Sequence, residues 1–120
     1  MQRFDIIFYE KEDGSKPAQD FLDSLDLKMR AKMLRTIEML RINGSLLREP
    51  YSKALDDGIL ELRAKVGTDI SRVLYFFIIG QKVILTNGFI KKTQKTPTEE
   101  IKRAKHYRID YLNREGHEND

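Results

Sequence analysis

Ile70–Ile79 reads Ile-Ser-Arg-Val-Leu-Tyr-Phe-Phe-Ile-Ile, and this apolar run is the strongest indication of the fold. It is rich in β-branched and aromatic residues, which favour strands. Because it is apolar at nearly every position, it is typical of a strand that lies inside a sheet rather than at its edge. We therefore predict that Ile70–Ile79 is the central strand of the fold.

Two more strands are predicted, one before and one after this run. Ile59–Val66 alternates between apolar and charged residues, which is the pattern of a half-buried strand. Gly67-Thr68-Asp69 predicts a turn, and Gly80-Gln81 predicts a second turn before a strand over Lys82–Phe89. Three consecutive strands joined by short turns make an antiparallel meander.

The N-terminal half is predicted to supply one strand and two helices. Phe4–Tyr9 is a short apolar strand candidate, and Pro17 suits the first position of a short helix. Asp26 can cap a longer helix that ends at Asn43-Gly44. The buried stripe of that helix is predicted from three- and four-residue spacing to be Ala31, Leu34, Ile37 and Leu40. Ser45–Gly58 is predicted to be an irregular connection.

The C-terminal part is predicted to be a helix. Thr96-Pro97-Thr98-Glu99 combines a capping box with proline at the first helical position. Residues 113–120 are predicted to be a frayed, flexible tail. The whole order predicts a single α+β domain over residues 1–120, with a central antiparallel sheet and helices packed on one face.

The composition argues against several classes of protein. The chain has no cysteine, so it has neither a disulfide framework nor a thiolate metal site. His106 and His117 have no partner histidine at ligand spacing, and we expect no metal or other cofactor. No apolar run approaches the ~20 residues that span a bilayer, and the N-terminus has no signal-peptide pattern. We expect a cytoplasmic protein.

Charge is distributed unevenly, although the net charge is only +3. Acidic residues dominate residues 10–26. Basic residues dominate a later region that contains Lys91, Lys92, Lys95, Lys102, Arg103, Lys105 and Arg108. Three of these lysines lie where a strand end meets a helix N-terminus, and such closely spaced cations repel one another. The sequence therefore predicts an anionic partner there, with nucleic-acid phosphate as the leading candidate.

Arg72 is the first candidate for chemistry, because it interrupts the apolar central strand and an unpaired buried charge is costly. It lies near the start of that strand, where we expect the sheet face to be open. Arg63, across the turn in an antiparallel hairpin, can come close to it. Two adjacent guanidinium groups suit a phosphate. The alternative is that each arginine pairs with a carboxylate, Glu61 or Asp69.

Lys91 and Lys92 are the next candidates. Successive strand residues point to opposite faces, so only one faces the site, and we favour Lys91. A lysine among other cations can give up its proton more easily and so transfer protons. The alternative is that the lysines only protect a sheet edge or aid solubility. The predicted substrate-binding residues are Lys95, Phe89, which can stack on a base, Lys65 and Glu61.

Four segments together resemble the RelE/ParE superfamily, and within it the phage-derived HigB-like toxins: Leu55–Arg63, Ser71–Phe77, Gly88–Pro97 and Glu100–Ala104. The resemblance implies a small α+β fold with a central antiparallel sheet. It implies an mRNA endonuclease that acts on mRNA in the ribosomal A site. It also implies a cognate HigA-like antitoxin with a helix-turn-helix domain, which silences the toxin.

The resemblance also implies roles for individual residues. Arg72 matches the arginine that starts the central strand of RelE-like nucleases, and Arg63 corresponds to basic residues of the preceding strand. Lys91 and Lys92 match basic residues at the end of the last core strand. The chain lacks the histidine–tyrosine pair that some relatives use after that strand, so the resemblance assigns no general acid or base.

The expected activity is metal-independent RNA cleavage, in which a 2′-hydroxyl attacks the adjacent phosphate. Arg72 and Arg63 would stabilise the developing charge, while Lys91, Lys92 or Glu61 would help to move protons. Two alternatives stay open. The chain could be a ParE-like inhibitor of DNA gyrase, or an RNA-binding module without catalysis.

Overall fold

The protein forms five strands and three α-helices within residues 3–91 and 95–118, the parts described by its computed structural model. A short 3₁₀ turn, Gly44–Leu46, follows the second helix. In chain order the elements are β1 (Asp5–Phe8), α1 (Pro17–Ser24), α2 (Leu27–Asn43), β2 (Ser52–Asp56), β3 (Ile59–Val66), β4 (Asp69–Ile78), β5 (Lys82–Lys91) and α3 (Thr98–Glu118). No helix in these two ranges is long and apolar enough to cross a membrane.

The sheet has the strand order β1-β5-β4-β3-β2. β4 is therefore central, and the meander β3-β4-β5 is antiparallel, as its short turns predict. The prediction of a purely antiparallel sheet is wrong, because β1 runs parallel to β5. A hairpin turn fixes strand direction locally, whereas β1 meets β5 only after two helices and three strands have intervened.

The connection predicted over Ser45–Gly58 contains a strand that the sequence pattern missed. β2 pairs antiparallel with β3, and the two strands are joined at Asp57-Gly58. Both turn residues have positive φ, of 50° and 79°, as a two-residue hairpin turn requires. β2 lies at the sheet edge and is mostly exposed, so its residues lack the apolar alternation that identifies a half-buried strand.

The helices cover both faces of the sheet, whereas the sequence pattern predicted one face. α1 and α2 pack on the face that carries Leu62, Val73 and Leu85. α3 packs on the opposite face, which carries Leu74 and Ile84. β4 and β5 are apolar at successive positions, so both of their faces have to be removed from water.

Two helices differ from expectation, α2 in its buried face and α3 in its end. The buried stripe of α2 consists of Met29, Met33, Thr36, Ile37 and Leu40. Ile37 and Leu40 are buried as predicted, whereas Ala31 and Leu34 are exposed, because the buried face is turned towards Met29 and Met33. α3 stays helical to Glu118, where a tail had been expected from residue 113, and Arg114 bonds to Asp110 and to the carbonyl of Glu10.

Candidate nucleic-acid interface

The strand register brings the two candidate arginines together. Arg63 of β3 lies directly opposite Arg72 of β4, which lies opposite Phe89 of β5. Residues that are directly opposite in a sheet point to the same face. The prediction that the two arginines meet across the hairpin is therefore confirmed.

Neighbouring register rows carry further candidate residues on this face, the one on which α3 packs. In one row Lys65 pairs with Ile70, and Ile70 pairs with Lys91. In another row Glu61 pairs with Leu74. The candidate residues that this alternation places on the α3 face are Glu61, Arg63, Lys65, Arg72, Phe89 and Lys91. Lys92 lies outside the described residues.

Arg72 is fully buried, which contradicts the expectation that it lies at an open end of the sheet face. Its Nε lies 3.2 Å from Oε1 of Glu61, which is also fully buried. Its Nη1 donates to Oγ1 of Thr96 at 3.2 Å, and that hydroxyl donates to Oε2 of Glu61 at 2.8 Å. The α3 segment, residues 95–98 at the start of α3, thus covers this end of the face. The alternative prediction, in which Arg72 pairs with the carboxylate of Glu61, is therefore confirmed.

Arg63 shares the same carboxylate. Its Nη2 lies 3.3 Å from Oε2 of Glu61, and 14% of its side chain is exposed. Burial lowers the pKa of the Arg72 guanidinium, the negative charge of Glu61 opposes that shift, and Arg63 adds to it. Because Arg72 is enclosed, Arg63 is the arginine of this cluster that reaches the surface.

Phe89 contacts the cluster instead of standing apart from it. The guanidinium carbon of Arg72 lies 5.9 Å from the centroid of the Phe89 ring, a distance at which a cation is attracted to the aromatic face. The side chain of Phe89 is half-buried. One face of the ring is therefore directed at protein, and only the remainder is available to a base.

The accessible positive charge lies around this buried cluster. Lys65, Lys91 and Lys95 are all exposed. Lys91 and Lys95 line a small cleft of about 230 Å³ together with Thr96, Pro97 and Thr98. Backbone N–H groups at a helix N-terminus favour anions, so this cleft combines two lysines with a favourable dipole.

The C-terminal helix contributes less free positive charge than its composition indicates. Lys105 pairs with Asp56 at 2.5 Å, and Arg108 pairs with Asp57 at 2.8 Å. These pairs join α3 to the β2–β3 turn. Within the basic region predicted over residues 91–108, the positive charge that an anionic partner can reach therefore lies mainly at the N-terminal end.

Thr96 is the site residue that sequence reasoning missed. The capping-box pattern assigned its hydroxyl to the helix, whereas that hydroxyl bridges Arg72 and Glu61 across 24 and 35 positions of sequence. Nothing local in the sequence indicates these contacts. A second tie lies nearby, where the Asn87 amide donates to Oε1 of Glu100 at 3.0 Å and fixes the first turn of α3 to β5.

No group of three or more histidine, aspartate or glutamate side chains in the described part of the chain is arranged to hold a metal ion.

A family model described as phage-derived protein Gp49-like (DUF891) matches residues 20–108, a span that contains all of the candidate site residues. No curated protein matches the chain. The chain therefore belongs to the Gp49-like family of phage-derived proteins, a family of toxin-like proteins of the RelE/HigB type.

Proposed function

We propose that this chain is the toxin of a type II toxin–antitoxin system and that it inhibits translation by cutting mRNA in the ribosomal A site. The proposal is that of a HigB-like, metal-independent endoribonuclease in the cytoplasm. The observation that carries it is the cationic face at the start of α3, where exposed lysines surround a buried arginine–glutamate cluster. Membership of a toxin-like family supports the proposal that this chain is a toxin.

In this proposal the exposed cations bind the RNA backbone. Lys91 and Lys95 lie together in the cleft at the α3 segment, and Arg63 and Lys65 follow along the last residues of β3. Phosphates spaced along a single strand can contact such a line of cations in turn. The binding surface so defined runs across the sheet rather than along one helix.

The proposed reaction moves one proton onto and one proton off the substrate. The 2′-oxygen forms a bond to the adjacent phosphorus and loses its proton, while the bond from phosphorus to the 5′-oxygen breaks and that oxygen gains a proton. The products are a 2′,3′-cyclic phosphate and a free 5′-hydroxyl. Lys91 transfers protons, and Arg63 stabilises the charge on the phosphate.

The structure changes the role that we propose for Arg72. Its guanidinium is enclosed, ion-paired with Glu61 and hydrogen-bonded to Thr96, so it acts as a positioning residue that holds Arg63 and the α3 segment in place. A site whose best-placed arginine is buried is a weak nuclease by itself. Dependence on the ribosome fits this, because alignment of the message can supply ~7–11 kcal/mol of the barrier.

The burial of Arg72 also favours a second candidate function. Lysines that bind phosphate, without an exposed arginine pair, suffice for an RNA-binding module that has no chemistry of its own. Such a module would block translation by occupancy. The two candidates differ in one observable, which is whether the message is cut.

We further propose a HigA-like antitoxin with a helix-turn-helix domain as the partner that silences the toxin. A cationic surface exposed to cellular RNA requires control, and a tightly bound partner that covers Lys91 and Lys95 would provide it. Co-expression with the product of an adjacent gene should restore growth. Full toxicity at equal expression of that product would argue against this partner.

Primer extension on cellular mRNA tests the proposed function. After induction of the wild-type protein, we expect new 5′ ends within a translated reporter message and none when its start codon is removed. The variant Lys91→Ala/Lys95→Ala should produce no new ends. Lys11→Ala/Lys28→Ala removes the same charge from exposed positions elsewhere and should cut normally. Intact message together with blocked translation would favour the non-catalytic module, and trapped gyrase–DNA complexes would overturn both.

A further inference from the structure

A second cavity lies beside the proposed site. It has a volume of about 210 Å³ and opens between α2, the Pro50–Tyr51 segment and the last residues of β3. The charged residues that line it are all cationic, namely Lys32, Arg63 and Lys65. Tyr51 contributes an aromatic ring, and this residue is 42% exposed.

The cavity exists because β2 covers only part of β3. The pairing of the two strands ends where Ser52 meets Leu62. One residue further on, the N–H of Arg63 donates to the carbonyl of Tyr51 at 2.9 Å. Beyond that, Lys32 of α2 reaches across and donates to the carbonyl of Lys65. A lysine side chain thus occupies the edge that a longer β2 would have filled.

The chemistry of the lining indicates an anion joined to a flat, apolar group. An ammonium group has three N–H donors, so Lys32 can bond to the Lys65 carbonyl and still donate to an oxygen of a ligand. Lys65 and Arg63 add positive charge, and the Tyr51 ring offers a stacking surface. The volume is below the ~300–1,000 Å³ typical of drug-sized ligands, so the cavity suits one small unit.

We propose that this cavity is a subsite for one nucleotide of single-stranded RNA, next to the nucleotides held at the α3 segment. This proposal rests on the proposed function. The base stacks on Tyr51, and its phosphate bonds to Lys32 and Lys65. Arg63 connects the two places, because it lines the cavity and also lies opposite Arg72 in the sheet. The RNA therefore continues from the α3 face, around the uncovered edge of β3, towards α2.

The test measures RNA binding without cleavage. The probe is a fluorescent 2′-O-methyl hexanucleotide, which has no free 2′-hydroxyl to attack the phosphate, and affinity is read from anisotropy. Tyr51→Ala should weaken binding about tenfold, whereas Tyr51→Phe keeps the ring and should bind as the wild type does. Lys11→Ala is the control for an exposed lysine remote from the cavity and should have no effect.

The salt dependence tests the phosphate contact separately. Lys32→Ala should flatten the slope of log affinity against log salt by about 0.7, the contribution of one phosphate on a single strand. Equal affinity of Tyr51→Ala and wild type, in protein that unfolds at the same temperature, would overturn the subsite. The subsite would also be overturned if Tyr51→Ala weakened the binding of a poly-glutamate peptide but not the binding of RNA.

These outcomes are distinguishable from failure of the proposed function. If RNA binds and Tyr51→Ala has no effect, the subsite alone is wrong. If the wild-type protein binds no RNA, or if Lys91→Ala/Lys95→Ala binds as well as the wild type, the proposed function is wrong as well.

Discussion

Arg72 and Glu61 show how one buried ion pair shapes the site. Removing two charges from water is costly, and the pair offsets that cost with a 3.2 Å contact and with hydrogen bonds to Thr96. Arg63 adds a second positive charge to the same carboxylate. The cluster therefore fixes the position of the α3 segment, and Arg63 is its partly exposed member.

Replacing Arg72 should destabilise the protein before it reveals anything about catalysis. Arg72→Ala leaves Glu61 buried with less compensation, and we expect a loss of about 3 kcal/mol in the free energy of unfolding, measured by urea titration. The double variant Glu61→Leu/Arg72→Met removes both charges and should recover most of that loss. Equal stability of Arg72→Ala and wild type would show that the pair is not buried in solution.

A substitution at Lys91 distinguishes proton transfer from electrostatic attraction of the RNA. Arginine stays protonated at any working pH, so Lys91→Arg should keep RNA affinity and salt dependence while cleavage falls at least tenfold. Lys95→Arg is the matched control, in the same cleft, and should cut at close to the normal rate. Equal cleavage rates of the two variants at matched RNA binding would make Lys91 an electrostatic contact only.

Helix α3 is joined to Tyr9, the residue that follows β1, by a polar contact at the end of the helix opposite to the site. The Tyr9 hydroxyl donates to Asp110 at 2.6 Å, and Arg114 bonds to the same carboxylate. The guanidinium of Arg114 also lies 5.6 Å from the Tyr9 ring centroid. Burial, followed by the hydrogen bond to Asp110, raises the pKa of Tyr9 from its ordinary value near 10 to about 12.

This raised pKa predicts a loss of stability at alkaline pH. The folded protein holds the Tyr9 proton more tightly than the unfolded chain, so the stabilisation is complete below pH 10 and is lost as pH rises from 10 to 12. Tyr9→Phe should be less stable than the wild type by about 1 to 2 kcal/mol at pH 9, and the difference should shrink at pH 11.5. Tyr51→Phe is the control, and a constant difference for Tyr9→Phe across both pH values would contradict the assignment.

α1 lies against β5 through a close contact at Gly88. A Cβ built on Gly88 would lie 2.3 Å from Cδ2 of Phe21, so the ring occupies the space of a side chain. Gly88→Ala should therefore cost about 1 to 3 kcal/mol of unfolding free energy. In a Phe21→Ala background the same change should cost almost nothing. An equal cost in both backgrounds, measured by chemical denaturation, would show that the contact is not the cause.

Across the molecule, sequence patterns predicted the elements whose structure depends on neighbouring residues. The alternation in Ile59–Val66, the apolar run after it and the short turns predicted the meander, and the meander predicted that Arg63 and Arg72 lie opposite each other. The direction of β1 and the presence of β2 depend on pairing between distant or exposed segments. Neither leaves a periodic signal in its own few residues.

The same limit applies to the site. Lys91 and Lys95 were predicted from their position between a strand and a helix, and both are exposed in one cleft. The burial of Arg72 was not predicted, because it depends on Thr96, which lies 24 residues later in the chain. A pattern within one strand cannot show which distant loop will cover that strand's end.

Cleavage of ribosome-bound message by the purified protein would show whether this chain is the proposed ribosome-dependent nuclease. The assay combines ribosomes that hold an mRNA with an empty A site, a chelator, and wild-type protein or Lys91→Ala/Lys95→Ala, with the ends of the products identified chemically. We predict cuts in the A-site codon that leave a 2′,3′-cyclic phosphate and a 5′-hydroxyl, with wild-type protein only. Uncut message with folded wild-type protein, or equal cutting by the double variant, would contradict the claim.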